Sequence, residues 1–301
     1  VERSRGLGDV YKRQYMNKIA IIYNPNAGSA KIKKLLKIKE RLSLKSSVTI
    51  YDTQKPGDAT SIAKRECKNF DIIVAAGGDG TINEVINGID INTKLGIIPL
   101  GTANILAIEA GIKNDIKSIC KSIEKGVTKK IYISNINNKK FFLMAGIGYD
   151  GDIVHKMKPS LKKIFGKAMF GFLGLLEFFK LKKYNIKVET ESETAFGNWV
   201  LVTNSKYYAG PYKITKSTSI FNDSIVCYVF NDLSRLGFLY YIFLILFYGD
   251  LGRSTKITKI ISKNIKISSK EKINVQCDGE KYGNLPIEIN FSSESVNLLT
   301  A

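Results

Sequence analysis

The chain has 301 residues, 46 basic against 27 acidic for a formal charge of +19, with 44% hydrophobic residues and only 6 prolines. That much apolar side chain offsets the entropy of ordering, and no low-complexity stretch interrupts it, so a disordered or fibrous chain is excluded. The basic excess favours a polyanionic partner, either nucleic acid or an anionic membrane surface, while the Lys, Ile and Asn abundance of an AT-rich genome produces the same excess.

Residues 1–15 are set apart. The run Asp9-Val-Tyr-Lys-Arg-Gln14 reads as a translated cloning adaptor and carries no signal-peptide layout, so this stretch is expected to be a scar holding about +2 of the charge, with the native chain starting at Met16. About 285 residues remain, more than one core usually serves, which predicts two domains. Cys67, Cys120, Cys227 and Cys277 are widely spaced and read as reduced, buried residues of a cytoplasmic protein. The single His155 builds no histidine metal cluster.

In chain order, Ile19–Tyr23 reads as a strand buried on both faces, and Ile32, Leu35, Leu36 and Leu42 mark the apolar stripe of a basic helix. A strand over Val48–Tyr51 leads to Asp58, which predicts an N-cap for a helix to Lys68. Asp71–Ala76 and Leu95–Pro99 are two more buried strands, each followed by glycine and a helix start, and Asn114 and Gly126 are expected to cap and stop the last helix of this half. After about Lys129 the texture becomes strand-like: Lys130–Asn135, Phe141–Ile147, Asn185–Thr190, Trp199–Asn204 and several runs from Ile257 to Ile289, with a hairpin signal at Asn137-Asn138. The expected fold class is therefore α/β: a parallel-sheet nucleotide-binding domain over 16–128, then a mainly antiparallel β domain over 129–301 whose last residues return to the first. Leu161–Lys180 and Leu236–Tyr248 read as apolar helices, too short to span a bilayer, that serve either as core or as a lipid-facing mouth.

Three loops carry the chemistry. Gly77-Gly78-Asp79-Gly80-Thr81-Ile82-Asn83-Glu84 sits where a buried strand becomes a helix, so its amides face outward at a helix N-terminus, where phosphate binding is favoured. Thr81 with Glu84 fits a capping box. The same strand-loop-helix arrangement recurs at Asn24-Pro-Asn-Ala-Gly28 and at Gly101-Thr102-Ala-Asn104. In an open parallel sheet the carboxyl ends of the strands share one edge, so three polar glycine loops converge on one crevice. Neither a Walker loop nor a dinucleotide fingerprint is present. The second signal is Asp278-Gly279-Glu280, two carboxylates at a strand end, where an attacking hydroxyl can be oriented and its proton accepted.

Asn24-Pro-x-x-Gly28, Gly77-Gly-Asp-Gly-Thr81-x-Asn83-Glu84 and Gly101-Thr-x-Asn104, in register from about Asn17 to Thr300, resemble the diacylglycerol kinase catalytic-domain family, bacterial soluble lipid kinases related to sphingosine kinases. The resemblance implies a β-sandwich second domain, ATP as phosphoryl donor, and ATP contacts from Asn24, Thr53, the Gly77–Asn83 loop and Thr102. Thr53 precedes Gly57-Asp58-Ala59 as in the family segment. The resemblance also makes Glu280 the expected proton acceptor, supported by Asp278, with Asp79 positioning the Mg-ATP end. Tyr208-Ala-Gly-Pro-Tyr followed by Ile220-Phe-Asn-Asp223-Ser-Ile225 resembles the segment where one Asp and neighbouring carbonyls hold Mg²⁺, here expected of Ile220, Asp223 and Ile225, although Ser224 stands where the family has Gly. Asn104-Ile-Leu-Ala also departs from the family's Asn-Asp-Phe-Ala.

The implied activity is phosphorylation of a membrane-lipid hydroxyl, diacylglycerol first, with a sphingoid base, undecaprenol or phosphatidylglycerol as other acceptors. Rival readings are an NAD kinase-like enzyme and a non-catalytic lipid-binding protein. The expected partners are the lipid substrate and the anionic inner face of the membrane, with no nucleic acid; a homodimer is left open.

Overall fold

The computed structural model describes residues 17–27, 29–157 and 173–300. In chain order the first elements are β1 (Lys18–Tyr23), α1 (Ser29–Ser43), β2 (Ser47–Asp52), α2 (Asp58–Glu66), β3 (Ile72–Gly77), α3 (Asp79–Gly88), β4 (Lys94–Pro99), α4 (Ile105–Glu109) and α5 (Ile116–Lys125). Then come β5 (Thr128–Ile136), β6 (Lys139–Phe141), β7 (Met144–Ile147), α6 (Tyr149–Lys156), a helix α7 over 173–179, β8 (Ile186–Glu189), β9 (Thr194–Gly197), β10 (Trp199–Thr203) and the short β11 (Tyr207–Tyr208) and β12 (Tyr212–Lys213). The chain finishes with β13 (Ile225–Phe230), α8 (Arg235–Phe243), β14 (Ile257–Ser262), β15 (Asn264–Ser268), β16 (Asn274–Cys277), β17 (Glu280–Asn284) and β18 (Ile287–Leu299). Two compact units result: one holds the residues through Gly101, Ala110–Lys130 and the end from Val296, the other Thr102–Glu109 and Ile131–Ser295.

The first unit is α/β. Its strands run in the order β2-β1-β3-β4, all parallel, with the end of β18 added beside β4. Every side chain of β3 is buried, as continuous apolar runs require when helices cover both faces, whereas β2, at the edge, is buried nowhere. The register aligns the strand ends. Tyr23 pairs with Asp52 and with Ala76, and Gly77 with Pro99, so the loops opening at Asn24, Thr53, Gly78 and Leu100 all leave one edge of the sheet.

The second unit is an antiparallel β-sandwich. One sheet has the order β14-β13-β10-β7-β16-β17, and in the other β18 pairs with β15, β15 with β8 and β8 with β9. Alternate residues face the shared core, among them Val200 and Val202, Ile225, Cys227 and Val229, Ile265 and Ile267, and Ile287 and Ile289.

Several local expectations are corrected. Asp58 is the first residue of α2 and not its N-cap: Gly57 takes that position at φ 88°, and the helix stops at Glu66. The N-cap of α5 is Asp115, whose Oδ1 accepts from Ser118 N at 2.8 Å, and not Asn114; Gly126 ends that helix at φ 64° as expected. No side chain caps α3, so Thr81 and Glu84 form no capping box; Glu84 Oε2 accepts instead from Ala59 N at 3.2 Å. The predicted strand Phe141–Ile147 is split into β6 and β7. Leu161–Lys180 lies mostly outside the described residues. The helix predicted over Leu236–Tyr248 begins at Arg235, and its last turn, Leu244–Tyr248, widens to π geometry. No helix among the described residues is long and apolar enough to cross a membrane.

Candidate functional site

In the first unit the polar loops meet at the sheet edge that the register creates. Asn24 closes β1 by donating its amide to Ala76 O at 3.1 Å, and its Nδ2 donates to Thr81 Oγ1 at 3.2 Å, tying the first loop to the start of α3. Its Oδ1 accepts from Asn26 N at 3.0 Å. Thr53 is buried and donates its amide to Tyr23 O, while Asp58 closes the loop after it by accepting from Gln54 N at 2.8 Å and Lys55 N at 3.0 Å. Those two amide hydrogen bonds hold the Asp58 carboxyl below its ordinary range.

Gly77 and Gly78 explain why the motif needs glycine. A Cβ on Gly77 would lie 2.4 Å from Thr81 Oγ1, and one on Gly78 would lie 3.1 Å from Gly101 Cα. The second and third loops therefore touch backbone to backbone, and the amides of Leu100 and Gly101 both donate to Gly77 O, at 2.8 and 3.1 Å. Gly78, Asp79 and Gly80 are half-buried at the head of α3. Ile82 donates its amide to Gly78 O at 3.1 Å, and the Asn83 carbonyl and side-chain oxygens accept from Asn87 Nδ2. Gly28 lies outside the described residues.

The remaining predicted residues belong to the second unit. Thr102 is exposed, and Asn104, in the left-handed region at φ 51°, leads into α4. That short helix is held by Glu109, whose carboxylate accepts from Ser205 Oγ at 2.5 Å, Lys206 N at 3.1 Å and Ile220 N at 3.0 Å. No motif marks Glu109, because its partners lie about a hundred residues away in sequence. Nor does one mark Lys31 of the first unit, which donates from Nζ to Leu100 O beside the third glycine loop.

Asp278 stands at φ 49° and its carboxylate accepts from three consecutive amides, Phe142 at 3.1 Å, Leu143 at 3.0 Å and Met144 at 2.9 Å. This carboxylate breaks the strand predicted over Phe141–Ile147 and fixes the Asp278-Gly279 turn. Gly279 adds an amide hydrogen bond to Gln276 Oε1 at 2.9 Å. Glu280, paired with Cys277 as β17 begins, is exposed. Asp278 is thus built into the frame, whereas Glu280 is exposed at the first position of β17.

The Mg²⁺-like segment offers a single carboxylate, exposed Asp223; the Ile220 carbonyl accepts from Tyr132 N at 3.1 Å, and Ile225 is buried at the start of β13. Among the described residues no three His, Cys, Asp or Glu side chains gather as a metal centre. One carboxylate with carbonyls fits a Mg²⁺ that keeps most of its waters, not a stripped ion. A further acid, Asp150 at the start of α6, is 4% exposed; burial pushes its carboxyl up to about 6, against a hydrogen bond from Tyr208 Oη at 2.5 Å.

Comparison with known proteins agrees with this arrangement. Residues 18–136 match the diacylglycerol kinase catalytic domain, and residues 144–300 match the YegS C-terminal NAD kinase beta sandwich-like domain. A diacylglycerol kinase of Staphylococcus aureus (strain bovine RF122 / ET3-1) is 32% identical over 279 residues, covering 88% of this chain and 87% of the relative. The chain belongs to the diacylglycerol kinase family. It is a lipid kinase, and the family implies ATP as its donor. The crystal structure of a diacylglycerol kinase from Bacillus anthracis str. Sterne shares its fold at a TM-score of 0.76 and 23% identity, over 95% of this chain and 98% of that one. An NAD kinase from Archaeoglobus fulgidus, solved with ATP, shares the fold more loosely, with a TM-score of 0.52 at 15% identity over 94% of this chain and 93% of that one.

Proposed function

We propose that this kinase transfers the γ-phosphoryl group of ATP to the free hydroxyl of diacylglycerol, giving phosphatidic acid. The observation that carries the nucleotide half is the convergence of Asn24, Thr81, Gly77, Gly78 and Gly101 at one sheet edge, at the N-terminal end of α3, with glycine where a Cβ would crowd the loops. The S. aureus relatives named diacylglycerol kinase support the acceptor.

In the reaction the hydroxyl oxygen forms a bond to the γ-phosphorus, the bond from that phosphorus to the β–γ bridging oxygen breaks, and ADP leaves. Phosphoryl transfer asks mainly for positioning and charge stabilisation. ATP enters with its own Mg²⁺ as substrate. The amides at the head of α3 are assigned the phosphates, and Asp79 the Mg-ATP end. Glu280 is assigned the proton of the attacking hydroxyl, and Asp278 holds the turn that presents it. Asp223, with the carbonyls of Ile220 and Ile225, would hold a hydrated Mg²⁺ that stiffens the loop before β13.

The test is incubation of the purified protein with γ-labelled ATP and a total lipid extract, with identification of the labelled lipid. Labelled phosphatidic acid is the expected product. Label in another lipid phosphate would move the acceptor to a sphingoid base, undecaprenol or phosphatidylglycerol, and label in a dinucleotide, in a parallel tube supplied with NAD, would select the NAD kinase-like reading.

A further inference from the structure

A surface helix normally buries one face and turns polar residues outward. The helix from Arg235 to Tyr248 does not. Its inner face, Phe238, Tyr241, Leu244 and Ile245, is buried, with the Phe238 ring 4.8 Å from Tyr149 and 5.5 Å from Phe178. Its outer face, at helical spacing, consists of Leu236, Leu239, Phe243, Leu246 and Phe247, with Leu236 81% and Phe247 72% exposed. Arg235 is the one charged residue of this stretch.

A second element in the same unit extends the surface. Leu175, Leu176 and Phe179 of α7 are exposed, Phe179 at 60%, and Arg235 Nη2 donates to Phe179 O at 3.4 Å. Lys180, Lys182 and Lys183 come directly after α7 and are all exposed. At the far end Arg253 lies 4.7 Å over the Tyr248 ring and joins Tyr240, Phe243 and Leu244 in lining a hollow of about 240 Å³. The nearby acids are already engaged: Asp232 with Lys256 at 3.0 Å, Asp250 with Gly252 N at 3.1 Å, and Glu177 with Lys156 at 2.6 Å. The apolar surface is therefore rimmed by an excess of positive charge.

We infer that α8 with its π turn, together with α7, is the element by which this kinase docks into the interfacial layer of an anionic bilayer, apolar side chains among the acyl chains and the basic rim on lipid phosphates. Fourteen residues make about 21 Å of helix, too short to cross and suited to lying in the interface. A second copy of the chain would set like-charged rims against each other across a two-fold axis, whereas anionic headgroups complement them. The inference rests on the lipid-kinase reading only for its purpose, which is to bring the protein to an acceptor that stays in the membrane.

The test uses the full chain and vesicles of phosphatidylcholine with and without phosphatidylglycerol. Wild type should sediment with the anionic vesicles, less so as salt rises. The Leu236→Gln/Phe247→Gln double variant, changed only at exposed positions, should bind them at least about tenfold more weakly, the scale of losing two partly inserted apolar side chains. It should still phosphorylate a water-soluble short-chain diacylglycerol at the wild-type rate. In Phe247→Trp, brominated lipids should quench the new tryptophan, since Trp199 is the chain's single native one and is buried. Unaltered vesicle binding by the double variant, or no quenching, would overturn the docking surface, as would loss of a dimer in sedimentation velocity with vesicle binding intact. If wild type phosphorylates no diacylglycerol while Leu236 and Phe247 still govern vesicle binding, docking stands and the acceptor assignment falls.

Discussion

Asp278→Asn should unsettle the protein before it touches the chemistry. The native carboxylate takes the amides of Leu143 and Met144 on Oδ1 and that of Phe142 on Oδ2, and these three residues are all buried. Asparagine keeps one oxygen for two of them but turns an NH₂ group toward the third, so one buried donor loses its acceptor and the other two lose a charged one. Hydrogen bonds to a charged group are worth about 1.5–3 kcal/mol and a stranded buried donor costs about 1–3, which together suggest a loss of roughly 2–4 kcal/mol. The left-handed backbone at this position is one that asparagine tolerates, so strain adds little. For a unit of this size that loss corresponds to a fall of roughly 5–15 °C in Tm. Differential scanning calorimetry of Asp278→Asn beside Glu280→Gln is the assay, because Glu280 is exposed and its variant should melt like wild type. An Asp278→Asn protein with an unchanged Tm would refute the assignment of this carboxylate to the frame.

Gly78→Val should abolish ATP binding while leaving the fold in place, since its side chain must enter the space between the second and third loops, where a Cβ alone comes within 3.1 Å of Gly101 Cα; titration calorimetry with ATP would show unchanged affinity if the loops hold no phosphate. Burial raises the Asp150 carboxyl from 3.8 to about 6, so its contribution favours the folded state fully below about pH 4 and is lost as pH rises through 6, a swing of roughly 3 kcal/mol. The stability of Asp150→Asn relative to wild type should accordingly improve between pH 4 and pH 7 in urea titrations, and a constant difference would contradict this. Glu280→Gln should lower kcat at least about 100-fold with little change in ATP affinity, whereas the defect of Asp79→Asn should respond to Mg²⁺ concentration. A near-normal kcat for Glu280→Gln, with a Mg²⁺-independent loss in Asp79→Asn, would exchange their roles.

Much of the first unit was legible because its signals are local. Continuous apolar runs such as Ile72–Ala76 fix buried parallel strands, and the glycines that end them fix where the loops leave. Sequence and structure part where a side chain reaches far along the chain or a neighbour competes for the same role. Asp115 rather than Asn114 caps α5, and Glu84 turns from its own helix end to Ala59. Phe141–Ile147 has unbroken strand composition, and nothing in it shows that Asp278, more than a hundred residues on, draws off the amides of Phe142 to Met144. The fully buried run of β13, Ile225–Phe230, has strand composition and comes directly after the segment resembling a Mg²⁺ site. Glu109 gave no signal at all, since its role emerges only when Ser205, Lys206 and Ile220 are folded onto it.

Diacylglycerol in mixed micelles and NAD, offered in one tube to the purified protein with γ-labelled ATP, compete directly for the phosphoryl group. Label should appear in phosphatidic acid, dependent on Glu280, and not in dinucleotide. Label in NADP, or transfer to lipid that survives Glu280→Gln at the wild-type rate, would contradict the proposed function.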